Sequence, residues 1–132
     1  PGCCTKTHPY RLNERKAPSR QEGNAMKRFA MIIRIKPDKL EEYRRLHAAA
    51  WPEVLRALRN ANVRNYSIYL RDNLLFGYME YVGDDYAADM ARVAQDEATQ
   101  RWWLLTDPCQ EPVPSAANGE WWAAMEEVFH MD

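Results

Sequence analysis

The hydrophobic period of this chain changes at one point, Pro37-Asp38, and that change limits the folds open to it. From Arg28 to Lys36 the residues alternate. Phe29, Met31, Ile33 and Ile35 fall on one side, and Ala30, Ile32, Arg34 and Lys36 on the other. A period of two built from β-branched and other apolar residues predicts a strand. Beyond Pro37-Asp38, Leu40, Tyr43, His47, Ala50, Val54 and Leu58 recur at steps of three and four, which predicts a helix over 39–60. Asp38 is placed to cap that helix, with Glu41 three residues later as in a capping box. Pro52 lies inside the pattern. A proline removes a backbone donor and clashes with the preceding turn, so a kink or break is expected near Trp51.

The same reading extends down the chain. Val63–Leu70 predicts a second strand with Arg64, Tyr66, Ile68 and Leu70 on one side. Leu74–Val82 predicts a third, joined to the second by the short turn Arg71-Asp72-Asn73 as a hairpin. Gly83-Asp84-Asp85 opens a second helix to about Ala98, continued as helix or turn over 101–106. Residues 107–119, with three prolines, read as a loop, and Glu127–Met131 as a last short strand. The order β-α-β-β-α-β predicts a ferredoxin-like α+β domain with an antiparallel sheet. Both helices pack on one face of such a sheet. The other face needs a cover, so a homodimer is expected.

Size and charge narrow the function classes. The 132 residues fit one domain, and a net charge of −1 gives no electrostatic case for nucleic acid. No apolar run reaches the ~18 residues of a membrane span. Residues 1–25 carry +3 and lack hydrophobic periodicity, so they read as a leader or unstructured extension, with the domain at 26–132. Cys3, Cys4 and Cys109 have neither a disulfide framework nor zinc-ligand spacing, and a reducing cytoplasm is the expected location.

The residues with chemical potential are few. His47 titrates near neutrality and can give or take a proton. Tyr43 lies one turn before it, and Trp51 one turn after. Tyr43 and Tyr66 can each offer a hydroxyl to a ligand oxygen. Trp102-Trp103 offers a flat apolar surface and an N–H donor, with one ring expected in the core and the other at a pocket. Trp121-Trp122 reads as core or dimer packing. This set suits a polar, uncharged, ring-shaped ligand such as a sugar. There is no glycine-rich phosphate loop and no legible Ser-His-Asp set.

Taken in order, several motifs resemble the L-rhamnose mutarotase family. They are Glu41-Glu42-Tyr43 with His47, Trp51-Pro52-Glu53, Asn65-Tyr66-Ser67-Ile68-Tyr69-Leu70, Asn73-Leu74-Leu75-Phe76, Arg101-Trp102-Trp103 and Glu127-Val128-Phe129-His130-Met131. The resemblance covers 26–132. It implies a dimeric α+β barrel that interconverts the α and β anomers of a deoxysugar without cofactor or metal. It further implies His47 as the catalytic proton donor, with Tyr43, Tyr66, Trp102 and Trp103 as substrate contacts. One stretch departs from the family pattern. Where the family has a loop like Asn-Pro-Asp-Asn-Ser-Pro, this chain has Cys109-Gln110-Glu111-Pro112-Val113-Pro114, which leaves the preferred sugar open. Two rival readings use the same fold: a monooxygenase or haem-binding protein with His47 as an iron ligand, and a non-catalytic sugar-sensing module.

Overall fold

The computed structural model describes residues 25–132. The expectation for residues 1–25 therefore falls, but for Ala25, outside the described residues, as do Cys3 and Cys4.

Strand β1 (Lys27–Ile35) is the centre of the sheet, and its alternation is expressed in burial: Met31, Ile33 and Ile35 are buried, while Arg34 is exposed. It is followed by a 3-10 turn (Pro37–Lys39), helix α1 (Leu40–Ala48), helix α2 (Pro52–Asn60), strands β2 (Val63–Arg71) and β3 (Leu74–Tyr81), and helices α3 (Tyr86–Gln95) and α4 (Glu97–Thr106). A second 3-10 turn (Asp107–Cys109) leads into β4 (Gln110–Glu111), and β5 (Ala123–Met125) comes last. The antiparallel sheet runs β2-β3-β1-β4, with β5 also paired to β1. This is the strand order of the ferredoxin-like fold expected from the pattern. The core lies between the sheet and the helices, around Ile33, Leu75, Met79, Met90 and Val93.

The break at Pro52 is complete. Ala49–Trp51 leave the helical conformation, Trp51 is extended (ψ 130°), and Pro52 starts α2 at its first turn. Proline is tolerated there because that N–H has no helical partner, and it pushes the preceding residue out of the α region. Helix α2 ends at Ala61, with Asn62 left-handed (φ 66°). The expected cap at Asp38 is not made. No side chain caps the 3-10 turn or α1, because the turn intervenes between Asp38 and the helix. Glu41 and Glu42 instead pair with Arg44 and Lys39.

Three further elements differ from expectation. The second helix is two, divided at Asp96. That residue is extended, and its carboxylate accepts from the Thr99 backbone N–H at 2.9 Å, so it caps a new helix. The hairpin turn tightens to Asp72-Asn73, both left-handed (φ 52° and 59°), as a two-residue loop between twisted strands requires. The last strand is Ala123–Met125 rather than Glu127–Met131. It follows directly on the buried Trp121-Trp122, and the chain leaves the sheet after Met125. Residues 126–132 have no regular structure. Arg28 holds Glu127 at 2.8 Å, while Val128, Phe129 and Met131 are exposed.

A bulge in β2 bears directly on the site. Arg64 pairs with Glu80 but Ser67 pairs with Tyr78, so β2 carries one extra residue, at a left-handed Asn65 (φ 49°). The extra residue reverses the phase of the strand. Arg64, opposite Glu80, is therefore on the uncovered face. Val63, Tyr66, Ile68 and Leu70 share the helix-covered face. The expected grouping of Arg64 with Tyr66 is corrected by this one residue. The uncovered face carries Ala30 opposite Tyr78, Ile32 opposite Phe76, and Tyr69 beside Phe76, with Tyr69 65 % exposed.

Candidate active site

Helices α1, α2 and α4 and the middle of β2 leave a cavity of about 280 Å³ between them. That is close to the lower bound of small-molecule sites, ~300 Å³. Helix α1 supplies Tyr43 and His47, α2 supplies Val54, Leu55 and Leu58, and β2 supplies Tyr66 and Ile68. Helix α4 supplies Trp102, Trp103 and Thr106, and Gln110 and Trp122 close the remaining side. Leu55, 54 % exposed, stands at the rim. All five residues singled out from the sequence (Tyr43, His47, Tyr66, Trp102 and Trp103) thus face one cavity. The tryptophan pair does not divide as expected. Both rings are buried and both line the cavity, because α4 is covered on two sides.

His47 is in the last turn of α1, half-buried. Its Nδ1 lies 2.9 Å from the Tyr43 carbonyl oxygen. A carbonyl only accepts, so Nδ1 carries the hydrogen and Nε2 is the nitrogen left for chemistry. Burial lowers the imidazole pKa below its ordinary 6.5, and the hydrogen bond to the Tyr43 carbonyl offsets this only in part. The neutral ring is therefore favoured near pH 7, with a lone pair on Nε2. The ring stacks on Tyr43 (centroids 4.1 Å apart, 29° between planes) and meets the edge of Trp102 at 5.2 Å. Trp51 in turn meets Trp102 at 5.3 Å. Aromatic neighbours on two sides fix the imidazole plane.

Tyr43 is buried, and its phenol is pushed well above the ordinary range, first by burial and then by the neighbouring Tyr66 phenol. It keeps its proton at any physiological pH and is available as a hydrogen-bonding hydroxyl. The Gln110 amide Nε2 donates to its oxygen at 3.2 Å, and Trp121 Nε1 donates to Gln110 Oε1 at 3.3 Å. Gln110, Trp122 and Thr106 are site residues that the sequence reading passed over. Gln110 sits in a proline-rich stretch without periodicity, so nothing local marks it. Trp122, expected to pack in the core or a dimer seam, does pack against Gly77, where an added Cβ would come within 3.4 Å of it, but its ring also walls the cavity. Cys109, beside Gln110, is buried with its thiol pushed up by desolvation, the profile of a packing residue.

The family model for L-rhamnose mutarotase matches residues 28–131. The chain belongs to the L-rhamnose mutarotase family. An L-rhamnose mutarotase from Pectobacterium carotovorum subsp. carotovorum is 36 % identical over 109 residues, covering 81 % of this chain and 100 % of the relative. The crystal structure of an L-rhamnose mutarotase from Formosa agariphila superposes with a TM-score of 0.63 at 25 % identity, over 80 % of this chain and 99 % of that one. Tetracenomycin F2 cyclase from Streptomyces glaucescens, a type-II polyketide cyclase, shares the fold alone (TM-score 0.59, 15 % identity, 80 % of this chain and 97 % of that one). The same framework therefore carries other chemistry, and the site must decide function. The family match does not favour the monooxygenase, haem-binding or sensing readings. No helix among the described residues is long and apolar enough to cross a membrane.

Proposed function

We propose that this chain is an isomerase that interconverts the α and β anomers of L-rhamnose or a closely related deoxy-pyranose. The observation that carries the reading is His47, whose Nδ1 is committed to the Tyr43 carbonyl while its ring lines an aromatic cavity of sugar size. Mutarotation requires only proton transfers. The anomeric hydroxyl loses a proton, the C1–O5 bond breaks as the ring oxygen gains one, C1–C2 rotates, and the steps reverse on the other face of the aldehyde.

The resemblance implies a proton-donating imidazolium at the outset. The burial of His47 supports a different order, with the neutral Nε2 first accepting the anomeric proton. The imidazolium so formed returns that proton to the carbonyl oxygen as the ring closes. A tyrosine hydroxyl or a water serves the ring oxygen, giving and then recovering its proton. Positioned acid–base groups contribute roughly 10²- to 10⁴-fold, enough for a reaction that already proceeds slowly in water. Tyr43 and Tyr66 bind sugar oxygens. Trp102 and Trp103 lie against its C–H face.

Residues 26–132 form the catalytic unit in this reading, 1–25 an extension outside it, and the cytoplasm its location. A homodimer covers the uncovered sheet face. The exposed Tyr69, with Ile32 and Phe76 beside it, supports that assignment. Saturation-transfer NMR on a panel of L- and D-sugars tests the function. Accelerated exchange between the anomers of L-rhamnose or a related deoxy-pyranose is expected; no acceleration for any sugar would refute it.

A further inference from the structure

We propose that Gln110 is a positioning residue of this site, clamping Tyr43 so that its phenol serves the sugar only as a hydrogen-bond donor. The proposal rests on the mutarotase reading above.

The chemistry of three side chains fixes the direction of each bond. An indole N–H can only donate, so the group 3.3 Å from Trp121 Nε1 must be the carbonyl end of the Gln110 amide. The other end, Nε2, lies 3.2 Å from the Tyr43 hydroxyl oxygen and can only donate to it. Tyr43 therefore accepts from Gln110, and its own proton must be given elsewhere. Both side chains are buried, with Gln110 3 % and Tyr43 5 % exposed, so this arrangement is not traded for bulk water. The Tyr43 ring is stacked on His47 and cannot swing away without moving the imidazole. Tyr43 and Gln110 both line the cavity, so an acceptor on a sugar bound there can take the phenol proton.

A ring oxygen or the lone pair of a sugar hydroxyl satisfies such a donor. A protonated amino group in the same place does not, so the clamp selects neutral sugars over aminosugars at that position. The clamp also sits in 109–114, where this chain departs from the loop pattern of the family it resembles. The departure therefore reaches the site itself.

The test is a pair of double-mutant cycles read as kcat and KM for anomer exchange. Gln110→Leu removes the clamp. Trp121→Phe keeps an aromatic ring but removes the N–H that orients the amide, and it decides the matter if Gln110→Leu does not fold. Each is expected to raise KM by roughly three- to ten-fold, as for one lost hydrogen bond, with a smaller change in kcat. In a Tyr43→Phe background neither is expected to have a further effect, because the hydroxyl they position is gone. Equal effects in both backgrounds, or no effect with Tyr43 present, would overturn the proposal while leaving the mutarotase reading intact. A wild-type protein inactive on every sugar would overturn both.

Discussion

Two buried polar clusters, at opposite ends of the domain, each centre on a tyrosine, and they differ in what they leave unspent. At one end the Asp89 carboxylate, 6 % exposed, accepts from the Tyr81 hydroxyl at 2.5 Å, from Asn62 Nδ2 at 2.9 Å and from Arg92. Each of these donors is directed at one carboxylate. The cluster closes the seam between the end of β3 and α3, and Gly83 fits over it because a Cβ there would collide with the Tyr81 hydroxyl, Asn62 and Asp89. At the other end Trp121 donates to Gln110 and Gln110 to the Tyr43 phenol, while His47 bonds separately to the Tyr43 backbone carbonyl, so the bonds do not converge on one acceptor. The Tyr43 and His47 side chains both line the cavity. Burial of polar groups thus serves cohesion where the bonds converge on one carboxylate, and fixes the side chains of a cavity wall where they do not.

The contrast can be broken at the converging cluster first. Asp89→Ala leaves the Tyr81 hydroxyl and the Asn62 amide without their shared acceptor, at about 1–3 kcal/mol for each stranded group. A loss of roughly 2–6 kcal/mol is expected in urea unfolding, with the exchange rate per folded molecule unchanged. A loss of catalysis beyond the loss of folded protein would show that the two ends are coupled. Tyr81→Phe removes one of the donors and is expected to cost about 1–2 kcal/mol, again without effect on kcat. At the cavity wall the balance reverses. Tyr66→Phe is expected to leave urea stability within about 0.5 kcal/mol and to weaken sugar binding by about 0.5–1.5 kcal/mol. Unchanged affinity would return Tyr66 to the core.

The smallest expected effect is a pH midpoint. His47 has a depressed folded-state pKa, so its neutral, proton-accepting form persists below the ordinary value of 6.5. Exchange should rise with pH through a midpoint below 6.5 and then level off. The same shift makes the unfolded chain bind more protons, so the His47 contribution to stability is present above the unfolded value and is lost as pH falls through the folded one. A midpoint above 6.5 would favour the imidazolium as the resting form.

Much of the domain was legible because its signals are local. Tyr43 and His47 lie four residues apart on one helical segment, and Pro52 marks its end. Both could be placed without any tertiary contact. The order of elements followed from changes in hydrophobic period. Other features depended on partners distant in the chain or on a single irregular residue. The phase of Tyr66 was reached through an unbroken alternation, yet Asn65 adds a residue to β2, so Arg64 falls on the opposite face. Asp96 reads as an ordinary helix surface residue until its side chain turns back to cap. Gln110 joins the site across 67 residues of sequence, and no spacing rule reaches that far. The final apolar run, Val128-Phe129 and Met131, looks like a strand by composition, but the sheet edge it would need is taken up by Ala123–Met125.

The central claim is that His47, through its free nitrogen, moves the proton in anomer exchange. Saturation-transfer NMR on His47→Ala, with the fold verified by circular dichroism, tests it most directly. The account predicts that exchange of the sugar turned over by the wild type falls by about 10²-fold or more while the folded spectrum is kept. A folded variant that exchanges anomers at the wild-type rate would contradict it.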